Sequence, residues 1–534
     1  MRLPRPPRAL RQPARWGAVA AGALPLLAFP APDVSFLAWC ALVPGMALIH
    51  RAPSVREAAI RGWWLGCGYF VAAMYWLAPE IGPAVLIVAI VFGVLMGPFG
   101  MSVWLLLRPP VTVARALAAL VVVPSYWLVT EWLRSWQAIG GPWAVLGASQ
   151  WQHPAVLALA SVGGVWLVSF ALVAVNVAIL IVIVSGRLAS RLAAVAGAAA
   201  VLAAGPVAFA LTPPAPVAGA ATIALVQPGV VANPVLRADA SQSLTARLSR
   251  DGTLGGVRPD LIVWGESSVA FDLREDQALL RSIEKLSAAV GAQILVNQDS
   301  LGGGHKSKVA VLVGRTGIDG TYTKTRLVPF GEYIPFRAAL SWLTSISRAA
   351  SVNMVPGGGA HTLRITEPGG RTLTIGPLIC FESAFPDMSR VDTNHGAQVI
   401  VYQTADSTFQ GTGALAQHAS LGALRAAETG RPVVQAALTG DSAAFDARGR
   451  LVAWTGETQR GVTAVRLTLP ATTSRTLYDR LGDYVPWTAA GIAVVFVLVL
   501  LAARIRRKGL RSKAGVADGD EAEYDAGTGL HVPG

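Results

Sequence analysis

The chain has 534 residues, of which 53% are hydrophobic and only 14% charged, a balance that excludes an ordinary soluble protein and leaves length for more than one domain. Its formal net charge of +13 is largely accounted for by two basic ends, which suit anionic lipid and argue against nucleic acid. The sequence therefore reads as a membrane protein.

Five arginines, Arg2, Arg5, Arg8, Arg11 and Arg15, open the chain. Apolar stretches follow at residues 17–31, 34–49, 62–79, 83–107, 116–133, 155–184, 191–212 and 486–503, several of them near the ~20 residues needed to cross a bilayer as a helix. The first two are short and interrupted by proline. Arginines ahead of an apolar run also suit a signal peptide, but the run lacks a clean small-x-small cleavage site, so a retained first helix is expected. Lys and Arg concentrate in loops that stay in the cytoplasm. Arg51, Arg56 and Arg61, then Arg108 and Arg115, then Arg187 and Arg191 mark the loops after the second, fourth and sixth spans, and Arg504, Arg506, Arg507, Lys508, Arg511 and Lys513 follow the last. Eight crossings result, with both termini cytoplasmic and residues 213–485 outside. Between the fifth and sixth spans, the outer segment 135–154 carries Trp136, Trp143, Trp151 and the turn Gly140-Gly141-Pro142. Its tryptophans suit anchoring at the lipid headgroups or contact with substrate.

From residue 213 to 485 the apolar runs shorten to strand length. Thr222–Gln227, Leu261–Trp264, Ile294–Asn297, Val309–Val313, Leu373–Ile379 and Val399–Tyr402 are the strand candidates, rich in β-branched residues. Ala414–Glu428 reads as a helix stopped by Gly430 and Pro432. Alternation of the two implies an α/β domain whose reactive groups sit on loops at strand ends. The expected organisation is a membrane bundle (1–212), an extracytoplasmic catalytic domain (213–485), a C-terminal transmembrane helix (486–504) and a tail (505–534), basic then acidic and disordered.

Three strand ends or adjoining loops carry reactive groups. Leu-Ile-Val-Trp-Gly ends at Glu266, Gly-Thr-Tyr-Thr leads to Lys324, and Thr372–Ile379 delivers Cys380. The outer domain has no second cysteine, so Cys380 forms no disulfide within it, and nucleophilic catalysis explains an unpaired exported thiol. A carboxylate could remove the thiol proton, and an ammonium could lower the thiol pKa and face a tetrahedral oxyanion. Spacing alone leaves the bland reading open, an inert buried cysteine beside solvated Glu and Lys.

The words around these residues are Trp264-Gly-Glu266-Ser, Tyr322-Thr-Lys324-Thr-Arg-Leu-Val-Pro-Phe-Gly-Glu332-Tyr-Ile-Pro-Phe336 and Ile379-Cys380-Phe-Glu382-Ser. Together they resemble the nitrilase superfamily and, more closely, the apolipoprotein N-acyltransferase family. Further matches are Arg425-Ala-Ala-Glu428-Thr-Gly-Arg431-Pro432, Thr439-Gly-Asp-Ser-Ala443 and Thr476-Leu-Tyr-Asp-Arg-Leu-Gly-Asp483. In the apolar part they are Glu131-Trp-Leu-Arg134, Gly141-Pro-Trp143, Leu146-Gly-Ala-Ser-Gln150 and Ser161-Val-Gly-Gly-Val165.

The resemblance implies a membrane α-helical bundle joined to a nitrilase-like α-β-β-α sandwich in the inner membrane of a bacterium, and a Glu266-Lys324-Cys380 triad. It also implies a two-step exchange: the thiolate takes an acyl chain from a phospholipid, and the α-amino group of an apolipoprotein's diacylglyceryl-cysteine then attacks the thioester. This chemistry needs no metal or organic cofactor. Glu332, Glu382 and Asp406 match supporting acidic positions, for which structural salt bridges are the rival reading of the two glutamates. Tyr333–Leu343, with Ile334, Pro335, Phe336, Leu340, Trp342 and Leu343, reads as an amphipathic lid toward the outer leaflet or as a segment packed on the core.

Four departures from the family pattern stand out. Phe381 replaces a usual tyrosine, Ala405-Asp406-Ser-Thr-Phe409 stands for Asn-Asp-x-Trp-Phe, Gly265 replaces a usual proline, and the loop after Gln227-Pro228 lacks a Trp-Glu pair. Two alternatives therefore accompany the acyltransferase expectation, a membrane-tethered amidase or acyl hydrolase and a non-catalytic lipoprotein-binding homologue.

Overall fold

The computed structural model describes residues 13–250, 258–302, 305–334, 354–366 and 370–525, together with Arg337. Except for Tyr333, Ile334 and Arg337, the expected lid segment 333–343 lies outside the described residues.

The first half is helical. Its helices are α1 (Pro13–Ala23), α2 (Val43–His50), α3 (Val55–Ala73), α4 (Ala78–Ile81), α5 (Ala84–Val94), α6 (Gly97–Leu107), α7 (Val113–Arg134), α8 (Pro154–Val184) and α9 (Leu188–Leu211). Among the described residues, α7, α8, α9 and the final helix over Tyr484–Arg506 are long and apolar enough to cross a bilayer. The pair α5–α6, bent by 41°, adds a fifth if counted as one span. Length and composition thus mark four or five crossings where the sequence suggests eight. The first two expected spans break into short helices and 3₁₀ turns, Leu24–Ala28 and Ser35–Trp39, with Pro25 and Pro44 at the breaks. Helix α3 starts on a Ser54 cap and carries Arg56, Glu57 and Arg61, with Glu57 paired to Arg15 and Arg61, so its first turns are polar. Helix α8 is broken inside: Gly163 and Gly164 leave helical geometry, Gly164 with φ +69°.

The second half holds two six-stranded sheets, each with three parallel strands at its centre. One has the order β12-β1-β2-β3-β4-β5, from Gly461–Pro470, Val217–Gln227, Leu261–Trp264, Gln293–Gly302, His305–Val313 and Ile318–Thr323. The other has the order β11-β10-β9-β8-β7-β6, from Leu451–Thr455, Ser442–Phe445, Val433–Ala437, Val399–Thr404, Thr372–Ile379 and Leu363–Thr366. Their inner faces share one apolar core, in which Leu225, Val263, Leu295 and Leu312 meet Leu378, Val401 and Val434. On the outer face of the first sheet, α10 (Leu236–Arg250) and α11 (Gln277–Val290) cover a second core that includes Val226, Ile262, Val296 and Val311. The second sheet is covered by α12 (Pro386–Asn394) and α13 (Ala414–Thr429), giving an α-β-β-α sandwich. Helix α13 ends on Gly430 at φ +62°, the left-handed cap that glycine adopts without strain. It also packs against α8, so the shared core runs on into the apolar helices.

After a short α14 (Leu477–Leu481), α15 (Tyr484–Asp525) closes the described chain. Its last turns fall in the expected tail. Low apolar content disfavours a packed core there but does not oppose a helix, because Ala, Arg, Lys and Glu are all good helix formers.

Candidate active site

Glu266 follows β2 and is buried. Gly265 before it is required by space: a Cβ there would stand 2.0 Å from the backbone nitrogen of Leu438, so the two sheets close on each other at this point. The backbone N–H of Glu266 donates to the Thr404 carbonyl at 3.1 Å, tying the end of β2 to the end of β8 across the sandwich.

Lys324, one residue beyond β5, is fully buried. Its Nζ donates to Glu266 Oε1 at 3.2 Å and to Glu332 Oε1 at 2.7 Å. Burial opposes the charge, but the two carboxylates outweigh it and hold the Lys324 pKa well above the usual lysine value. Glu332 sits in a loop folded on itself. Its Oε2 accepts from Val328 N at 2.9 Å, and Phe330 N donates to the Tyr333 carbonyl.

Cys380 follows β7 with φ +52°, a left-handed conformation that a non-glycine residue adopts at a cost. Its thiol lies within the electrostatic reach of Glu266 and Lys324. Burial, and then the Glu266 charge, push the thiol pKa well above its ordinary value, so the resting group is protonated. For Glu266, burial favours the neutral acid. The charges of Lys308 and Lys324 and the hydrogen bond from Lys324 outweigh burial, and the carboxyl stays well below its usual range.

The three expected groups therefore meet at one point from three strand ends. Glu382 and Asp406 stand beside them in other roles. Glu382 is fully buried and its Oε1 accepts from Tyr322 Oη (2.7 Å), Thr325 N (2.7 Å) and Arg326 N (3.0 Å), while Oε2 accepts from Ile379 N (2.7 Å). It is a clamp between the Lys324 loop and the Cys380 turn, and among the described residues it makes no salt bridge. Asp406, just after β8, holds a residue that sequence reasoning missed: His418 on α13 donates from Nδ1 to Asp406 Oδ1 at 2.9 Å and from Nε2 to the Cys380 carbonyl at 3.1 Å. A carbonyl and a carboxylate are acceptors, so this arrangement favours the ring protonated at both nitrogens. Burial lowers its pKa, but the Asp406 charge and hydrogen bond and the Cys380 carbonyl raise it above the usual value. Ligand atoms of Cys380, Asp406 and His418 lie within 4.8 Å of one another, the spacing of a metal site. His418 has no free nitrogen to offer a metal in this arrangement.

A second missed residue is Lys308 on β4, whose Nζ lies 3.5 Å from Glu266 Oε1 and 3.1 Å from Asp299 Oδ1. Its signal was its place immediately before the apolar run Val309–Val313.

Phe381, which departs from the family pattern, and Phe409, which keeps it, both make apolar contacts. Phe381 meets Phe385 edge-on at 5.2 Å, and both rings abut Gly141 of the apolar half, where a Cβ would come within 2.7 Å. Phe409 lies 4.7 Å from Trp76, which is 5.1 Å from Trp143. Trp143 in turn donates to Gln417, next to His418. Segment 135–154 thus divides: Trp136 is exposed, whereas Trp143 and Trp151 pack into the protein.

The geometry agrees with two family assignments. A carbon-nitrogen hydrolase domain matches residues 261–475, and the N-terminal domain of apolipoprotein N-acyltransferases matches residues 21–178. The class is therefore a nitrilase-like domain carried on a bundle of apolar helices. Apolipoprotein N-acyltransferase of Sinorhizobium fredii is 35% identical over 523 residues, covering 90% of this chain and 92% of its own. The enzymes of Allorhizobium ampelinum (32% over 536 residues, 93% and 95%) and Geobacter metallireducens (30% over 514 residues, 90% and 94%) are similar throughout. This chain belongs to the apolipoprotein N-acyltransferase family.

Proposed function

We propose that this membrane acyltransferase N-acylates lipoproteins by carrying an acyl group on Cys380, with Glu266 as proton carrier and Lys324 as the cation facing the oxyanion. The observation that carries the reading is the convergence of all three groups from the ends of three different strands, with buried Lys324 bonded to buried Glu266 and the Cys380 thiol under the charge of both. In the first step Glu266 takes the thiol proton as Sγ bonds to the ester carbon of a phospholipid. Negative charge moves to the carbonyl oxygen beside Lys324. The ester C–O bond then breaks, and Glu266 returns the proton to the departing lysophospholipid. In the second step the free α-amino group of a diacylglyceryl-cysteine attacks the thioester, Glu266 takes an amine proton, and the C–S bond breaks to regenerate the thiol. Glu332 holds the Lys324 ammonium, while Glu382 and the Asp406–His418 pair hold the backbone around the nucleophile.

The organisation that serves this reaction is a bundle over 1–212, an extracytoplasmic catalytic domain over 213–485, a returning helix over 486–504 and a cytoplasmic tail over 505–534. The broken segments 17–31 and 34–49 and the partly polar α3 cross as three further spans, making eight, with both termini in the cytoplasm of a bacterial cell. The arginine distribution supports that orientation.

The test uses purified full-length protein with phosphatidylethanolamine vesicles and the intact mass of the Cys380 peptide. An acyl adduct that transfers to a diacylglyceryl-cysteine peptide is expected. Absence of the adduct, or free fatty acid released at the same rate without acceptor, would overturn the reading.

A further inference from the structure

Successive residues of β4 face opposite sides of their sheet. Ala310 and Leu312 enter the core between the sheets, whereas Val311 and Val313 enter the core under α10 and α11. Lys308 is in register with Ala310 and Leu312, so its side chain points between the sheets, where an ammonium is costly unless paired. It is paired with Asp299 at 3.1 Å and with the Ser267 hydroxyl, and it reaches Glu266 Oε1 at 3.5 Å. That same oxygen accepts from Lys324 at 3.2 Å. One carboxylate oxygen thus lies between two ammonium groups.

We propose that Lys308 is a second cation of the reaction centre, a positioning residue that strengthens Glu266 as an acid and so speeds return of the proton to the leaving oxygen. This rests on the reading of Glu266 as proton carrier. The proton that Glu266 takes from Cys380 converts it to a neutral acid flanked by two cations, which favour the anion and drive the proton onward. Lys308 stands on the side of Glu266 that faces Asp299, whereas Lys324 is shared with Glu332. The other titratable groups around Glu266 are Cys380, whose thiol feels its charge, and His418 with Asp406 beyond the Cys380 turn.

The experiment measures single-turnover acylation of the full-length protein in mixed micelles of detergent and phosphatidylethanolamine across pH 2 to 8, for the wild type, Lys308→Gln, Lys308→Met, Lys308→Arg and Glu266→Gln. Lys308→Met retains the apolar stem, so the charge is read even where Lys308→Gln fails to fold. Removing one cation at this distance should raise the acid limb of the rate profile by about one to three pH units, with Lys308→Arg keeping the wild-type limb. A loss of rate by the same factor at every pH, with no movement of the limb, overturns the proposal and makes Lys308 a structural ion pair. Wild-type acylation in Glu266→Gln overturns the proton-carrier reading itself, a separate result.

Discussion

Cys380 is held in its left-handed conformation from both sides. Glu382 takes the N–H of Ile379 before it, and His418 binds its own carbonyl. Replacing Glu382 with Gln turns an amide N–H₂ toward the backbone N–H groups it now accepts from. The expected result is a loss of about 3 kcal/mol, measured as a fall in thermal midpoint in detergent, together with a loss of Cys380 acylation. For His418→Gln the effect depends on pH. The folded pKa of His418 is raised above the usual 6.5, so its stabilisation is complete below the unfolded value and fades as pH rises through the folded one. The gap in thermal midpoint between wild type and variant should be widest below about pH 6 and should narrow in alkali; a gap constant with pH would argue against the imidazolium. At this scale the sequence disclosed Glu266, Lys324 and Cys380, because each ends or adjoins a recognisable strand. It concealed His418, whose partners lie 12 and 38 positions away in the chain.

Strand periodicity was legible wherever a run was continuously apolar. The six expected strands are all present, as β1 to β4, β7 and β8, and the expected helix is α13. Edge and partner strands were harder to read. β5 is Ile-Asp-Gly-Thr-Tyr-Thr and β10 is Ser-Ala-Ala-Phe, so sheet pairing decides their conformation against a weak local pattern. Gly265 shows how an element's end positions chemistry. A Gly265→Ala variant would place a methyl 2.0 Å from the Leu438 backbone, where no flexible side chain can give way. We expect a cost of about 3 kcal/mol and displacement of Glu266, read as lost acylation in protein that still binds detergent micelles.

Across the whole molecule, motif words far apart in sequence converge on one junction. Glu428, paired with Arg425, accepts the N–H of Val165 at 2.7 Å, where α8 is broken. Trp166 and Tyr478 both donate to Asp483. Gly164 at this break has φ +69° and its Cβ would lie 2.7 Å from the Tyr478 ring. Gly164→Ala should therefore loosen the sandwich from the helices, and limited proteolysis should cut faster near residues 212–217 than in the wild type. The sequence showed these words as family matches without showing that they meet, because their contact is made only by the folded chain.

β1 pairs along its length with β12, so Val217 lies opposite Pro470 and Gln227 opposite Gly461. The first strand of the sandwich thus waits on the ribosome until almost the last is made. Until then its edge offers unpaired N–H and C=O groups, and the long loop to be closed makes this step slow. Nascent chains arrested before residue 461 should accordingly be held by chaperones or degraded, while those released just beyond residue 470 should already resist protease.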